Sequence, residues 1–63
     1  MDIWLIYRIF RNQDLKTVRI ASVEYCTNEV DARKYTKLFD LQVPSDLRDK
    51  VSHKYYTTSV IDN

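Results

Sequence analysis

Residues 3–10 read Ile-Trp-Leu-Ile-Tyr-Arg-Ile-Phe, an apolar run broken only by Arg8. Side chains alternate across a strand. One face of this segment therefore carries Ile3, Leu5, Tyr7 and Ile9, and the other Trp4, Ile6, Arg8 and Phe10. A strand with two apolar faces belongs at the centre of a sheet, covered on both sides. The polar stretch 11–16, containing Asn12 and Asp14, reads as a hairpin loop. The next run, Thr17–Cys26, is rich in β-branched and aromatic residues. Val18 and Ile20 fall on one face, with Ser22 and Glu24 continuing it in polar form; Arg19, Ala21, Val23 and Tyr25 fall on the other. That mixture predicts a strand nearer an edge, with a bulge near Ala21–Ser22.

Thr27 and Asn28 are good helix caps, and Asn28 with Asp31 three residues on resembles a capping box. Ala32, Tyr35, Leu38 and Phe39 then form an apolar stripe, with Arg33, Lys34 and Lys37 elsewhere, predicting an amphipathic helix of about three turns. Its acidic start and basic later turns suit the helix dipole. Pro44 disfavours helix at the residue before it. Ser45 is placed to cap a short second helix, Asp46–Val51, unless this stretch is a turn-rich loop. Lys54–Asp62 is strongly β in character, and His53 is placed in the loop before it as a solvated residue.

The element order is β-β-α-β. A right-handed crossover puts the third strand on the far side of the first. The fold class is α+β: a three-stranded antiparallel sheet, order 2-1-3, with one helix on one face and a single small domain spanning 1–63. One helix leaves the second sheet face open. Either the 41–53 segment folds over it, or a second copy or a partner does.

The length sharpens this point. A domain of 63 residues buries only about 60% of the surface its unfolded chain exposes. Such domains are commonly reinforced by disulfides, metals or oligomerisation. One cysteine and one histidine exclude an internal disulfide and leave zinc only a poor mixed site with carboxylates, so oligomerisation remains. With no glycine there is no Gly-rich phosphate loop, and left-handed turn positions are expected to fall to Asn or Asp. Ten basic and nine acidic residues, net +1, are too balanced for a DNA mimic or for strong nonspecific nucleic-acid binding. No run reaches the roughly 18 apolar residues of a membrane span. Met1-Asp2-Ile3 lacks the basic start of a signal peptide. The lone cysteine suits a reducing compartment, and the cytosol is the expected location.

Catalytic chemistry finds little support. Cys26, beside the start of the helix, reads as a small semi-buried hydrophobe rather than a nucleophile, and His53 is expected too far away to serve it as a base. Asp46 and Asp49 read as a solvated charged face rather than a metal or acid–base pair. No enzyme, cofactor or metal site is expected. Five tyrosines, Tyr7, Tyr25, Tyr35, Tyr55 and Tyr56, are the notable excess. Tyrosine favours strands and also binding interfaces. Trp4, Tyr7, Phe10, Tyr55 and Tyr56 are the candidate interface residues.

The whole pattern resembles the small ββαβ proteins common in bacteriophage genomes. The parts that carry the resemblance are the strand Ile3–Phe10, the Thr27-Asn28-Glu29 cap, Ala32-Arg33-Lys34-Tyr35 and Tyr55-Tyr56-Thr57-Thr58. Two features depart from it: such second strands often carry a glycine, absent here, and the Pro44 segment is extra length. The resemblance carries over no site residue. It implies a non-enzymatic protein that binds and inhibits a host protein, including one of a defence system as anti-CRISPR proteins do; the uncovered sheet face adds the expectation of a homodimer. Two other expectations stand beside it. One is a small single-stranded nucleic-acid binder or regulator, with Arg8, Arg19 and Lys54 on phosphates. The other is a small-molecule sponge with a pocket at the dimer interface.

Overall fold

The computed structural model describes residues 1–61. Its elements are β1 (Asp2–Asn12), β2 (Thr17–Cys26), α1 (Glu29–Gln42), a 3-10 turn (Ser45–Leu47) and β3 (Val51–Ser59). The strands form one antiparallel sheet in the order β2-β1-β3, so the doubly apolar strand is central.

The β1–β2 hairpin closes at Asn12–Thr17. Asn12 Oδ1 accepts a hydrogen bond from the Leu15 backbone N–H at 3.1 Å. The left-handed position is not an Asn or Asp, as the glycine-free sequence suggested, but Lys16, with φ of 52°. Asn12 is engaged instead as the side-chain acceptor that tightens the turn. Farther along, Ile6 lies opposite Glu24 and Tyr7 opposite Ser22, so Val23 is the extra residue of a bulge. The bulge falls just past Ala21–Ser22. It turns Val23 into the core and shifts Tyr25 onto the face of Val18 and Ile20, reversing the expected grouping of Tyr25 with Arg19 and Ala21.

Helix α1 starts as the capping pattern required. Asn28 is extended, its Oδ1 accepts from the Asp31 N–H at 2.8 Å, and its Nδ2 donates to Asp31 Oδ2 at 3.0 Å. The chain leaves the helix at Val43, extended ahead of Pro44. The buried stripe differs from the expected one. Ala32, Thr36 and Val43 are buried and Phe39 half-buried, whereas Tyr35 and Leu38 are each 41% exposed. Thr36 can be buried because its hydroxyl donates to the Ala32 carbonyl at 2.6 Å. The last turn holds no basic residue, so only the acidic start, Glu29 and Asp31, complements the dipole.

Ile6 is completely buried at the centre, with Cys26 and Ala32 beside it and Trp4, Val23, Phe39 and Tyr55 packed around them. Burying Ile6 contributes about 1.5–3 kcal/mol. The face of β1 that meets the helix is therefore Trp4, Ile6, Arg8 and Phe10. Segment 43–51 also lies on that side: Val43, Pro44, Leu47 and Val51 gather around Arg8, Phe10 and Phe39. It does not fold over the opposite face. In place of a helix over 46–51 there is the 3-10 turn, and Val51 already begins β3. The strand thus starts three residues before the expected Lys54 and ends at Ser59; Asp62, its expected end, lies outside the described residues.

Candidate functional site

The register defines the open face of the sheet. Leu5 lies between Tyr25 and Tyr56, Tyr7 between Ser22 and Lys54, and Ile9 between Ile20 and Ser52. Tyr7 and Tyr56 meet edge to face, with ring centroids 5.4 Å apart. Val18, Ile20, Tyr25 and Tyr56 are exposed, Ile3, Leu5 and Tyr7 are half-buried, and Ile9 is buried. At about 4.8 Å between strands and 3.3 Å per residue, the three strands present a face of about 14 by 30 Å, on the order of 400 Å² in projection. Leu5, Tyr7, Ile9, Val18, Ile20, Tyr25 and Tyr56 make up its apolar part, interrupted by Ser22, Ser52 and Lys54.

The helix side holds a different arrangement. His53 is not a solvated loop residue but a buried residue of β3, 5% exposed. Its ring packs against Phe39 at 5.5 Å. The carboxyl of Asp40, in the last turn of α1, is within 2.8 Å of both the His53 backbone N–H and Nδ1. On the other side, Arg8 Nε donates to His53 Nε2 at 2.9 Å. Nε2 must then be the acceptor and Nδ1 the donor, so the imidazole is neutral and carries its proton toward Asp40. The histidine is a polar link between an arginine of the central strand and an aspartate of the helix, each of its groups satisfied.

Arg8 lines a concavity of about 290 Å³ with Phe10, Phe39, Val43 and Leu47. A second, of about 540 Å³, adjoins it across Phe10, Leu47 and Val51 and is lined further by Leu15, Arg19 and Lys50. No Asp or Glu lines either one. Among the described residues, no carboxylate forms an ion pair with Arg8, Arg19 or Lys50.

The candidate interface residues are thus divided. Tyr7 and Tyr56 lie on the open face. Trp4 and Tyr55 pack into the core between helix and sheet, and the Tyr55 hydroxyl donates to Glu29 at 3.4 Å. Replacing Trp4 therefore tests folding rather than binding. Phe10 is on the helix side, 39% exposed in the trough formed by the two concavities. Ile20, Val18 and Tyr25 join the open face although sequence reasoning did not single them out; the Val18–Ile20 alternation was a signal for the first two, and the bulge concealed Tyr25. Arg8 and Arg19 are on the helix side and Lys54 on the open face, so these cations form no single phosphate-binding array.

Cys26 is buried. Burial pushes its thiol pKa up, and the nearby Asp31 and Glu24 carboxylates add to the effect, the opposite of activation. It lies opposite Trp4, whereas His53 lies opposite Arg8, four residues farther along β1, or about 13 Å. The two do not form a dyad. Asp46 lies in the 3-10 turn and Asp49 in the turn after it, not on one helix. Among the described residues no group of three or more His, Cys, Asp or Glu is placed to hold a metal, and no helix is long and apolar enough to cross a membrane. No family model, curated protein or solved structure matches the chain.

Proposed function

We propose that this chain is a non-enzymatic binding protein that works as a homodimer, two copies meeting through their open sheet faces, and that the dimer binds and inhibits a host protein. The observation that carries the dimer is the open face itself, where Ile20 is 66%, Tyr25 61% and Tyr56 48% exposed with no described element of the chain above them. A two-fold pairing places the same patch on both sides of the interface. Two apolar sheet faces stacked about 10 Å apart make the aligned packing of a β-sandwich. Lys54 lies beside Tyr7 rather than at the centre of the patch, so its ammonium can reach solvent at the rim. The inhibitory role rests on the resemblance to phage-encoded ββαβ proteins.

Sedimentation and native mass spectrometry of the wild type and of Ile20→Lys and Tyr56→Lys test the dimer. The wild type should be dimeric at micromolar concentration and both variants monomeric, with the helix and strand content of the wild type. A wild type that remains monomeric at about 1 mM, the weakest association worth the name, rules the dimer out. Affinity capture from a bacterial lysate then tests the inhibitory role: a stoichiometric host protein whose activity falls on binding supports it, and a dimer that captures nothing removes it.

A further inference from the structure

The helix side of the sheet carries the trough around Phe10 and Leu47, and its make-up is one-sided. Its floor is apolar: Phe10 is 39%, Leu47 38% and Leu15 70% exposed. Its charged members, Arg8, Arg11, Arg19 and Lys50, are all cationic. Arg8 is the informative one. Its Nε is held by His53, which is in turn held by Asp40. A guanidinium fixed through Nε has its two terminal nitrogens fixed as well, since the group is planar. Those nitrogens have no described side-chain carboxylate in an ion pair. Orienting a long side chain costs entropy, and here the cost is met before any ligand arrives.

We infer that this trough docks an acidic peptide segment of a partner protein. A carboxylate of the segment takes the terminal nitrogens of Arg8 as a paired, charge-assisted contact. An apolar side chain next to it covers Phe10 and Leu47, and a further acidic residue lies near Arg19 and Lys50. The trough is open at the surface and has aliphatic as well as aromatic members, which suits a peptide side chain. Single-stranded nucleic acid would call for successive stacking rings and a longer cationic track. This site is on the opposite side of the sheet from the dimer face, so it stands or falls separately.

The test is an NMR titration of the isotope-labelled protein with the capped pentapeptide acetyl-Glu-Asp-Leu-Asp-Glu-amide. Its Gln/Asn counterpart, its all-Lys counterpart and an eight-residue oligothymidylate are the comparisons. Saturable shifts centred on Arg8, Phe10, Arg19 and Leu47 are expected with the acidic peptide alone. Affinity should fall about fivefold in the Gln/Asn peptide and again in Arg19→Glu, the size of a partly shielded charge contact. Arg19 and Lys50 are exposed, so Arg19→Glu and Lys50→Glu keep the fold even if Arg8→Gln loosens it. The inference is overturned if the neutral peptide binds as tightly, if the shifts map elsewhere, or if no saturation occurs by about 10 mM. Binding of the oligothymidylate in place of the peptide would equally overturn it and assign the trough to phosphate.

Discussion

Replacing Asp40 by Ala puts the buried histidine link to a test in which the sign of the effect decides. Viewed as a helix residue alone, Asp40 is a poor choice. Aspartate is a weaker helix former than alanine, by roughly 0.5 kcal/mol. A carboxylate in the last turn also opposes the helix dipole by about 0.3–1 kcal/mol. On those grounds Asp40→Ala should stabilise the protein by about 1 kcal/mol. The contacts argue the other way. The carboxyl accepts both the His53 backbone N–H and Nδ1–H, and His53 is 5% exposed. Leaving a buried donor without a partner costs about 1–3 kcal/mol. Water can reach this side, because the Asp40 side chain is itself 48% exposed, so the lower part of the range applies and the two donors together cost about 2–3 kcal/mol. The net expectation is destabilisation by about 1–2 kcal/mol. For a domain of this length the whole stability is about 3–9 kcal/mol, and the urea midpoint should fall by about 1–2 M at a slope near 1 kcal/mol/M. Asp40→Asn keeps an acceptor in place and should lose less. His53→Phe keeps the packing against Phe39, and a double-mutant cycle with Asp40→Ala should return a coupling of about 0.5–3 kcal/mol. A midpoint for Asp40→Ala equal to or above that of the wild type would show that the link adds nothing to stability, and would remove the basis for a held Arg8.

Four further outcomes are expected. Ile6→Ala, at the one fully buried large side chain among the described residues, should cost about 2–5 kcal/mol in the same urea assay and leave the chain largely unfolded at 37 °C. Asn28→Ala removes the acceptor of the Asp31 N–H and should cost about 1 kcal/mol, read as a lower melting temperature with no change in dimerisation. Lys16→Gly relieves a left-handed residue and should stabilise the hairpin by up to about 1 kcal/mol; a loss of stability would mean that Lys16 makes a contact worth more than its backbone strain. The Cys26 thiol, whose pKa burial raises above that of a free thiol in the folded state, should resist alkylation at neutral pH until the protein is unfolded. Its linkage has a definite sign: above pH 9 the unfolded chain gives up this proton before the folded one does, so stability falls with rising pH there, and Cys26→Ala should show a shallower fall.

The strand order was legible because one segment carried two apolar faces and no other did. A chain with a single such strand has only one way to place it. The cap at Asn28 was legible because its partner, Asp31, is three residues away. The features that were hidden depend on partners far along the chain. His53 reads as polar loop, since nothing local announces that Asp40, 13 residues earlier, and Arg8, 45 residues earlier, satisfy both ring nitrogens. The start of β3 was misplaced with it, because Val51-Ser52-His53 is mostly polar. Thr36 in place of Tyr35 on the buried stripe has a different, local cause: its hydroxyl is satisfied by the Ala32 carbonyl one turn back, which residue type alone does not announce. The bulge at Val23 moved Tyr25 to the open face, where alternation alone placed it with Arg19. The functional surfaces followed suit: alternation in β1 gave two candidate faces without deciding which one the helix covers, and the trough exists only once 43–51 has folded beside Phe10.

The central strand is also the first strand in the chain, and this has a consequence during synthesis. β1 and β2 can pair as soon as they emerge, but the other edge of β1 stays bare until β3 is made. Residues 27–59, at roughly 5–20 residues per second, take about 2–7 s. For that interval the hairpin has Ile6 uncovered on one side, Ile9 and Tyr7 on the other, and an unpaired row of backbone groups along β1. A hairpin forms in microseconds but a lone two-stranded one is marginal in water, so β1 and β2 pair and open many times before β3 arrives. Crowded nascent chains would pair at that edge with one another, and the yield of this small protein in a cell should depend on expression rate more steeply than its stability alone would suggest.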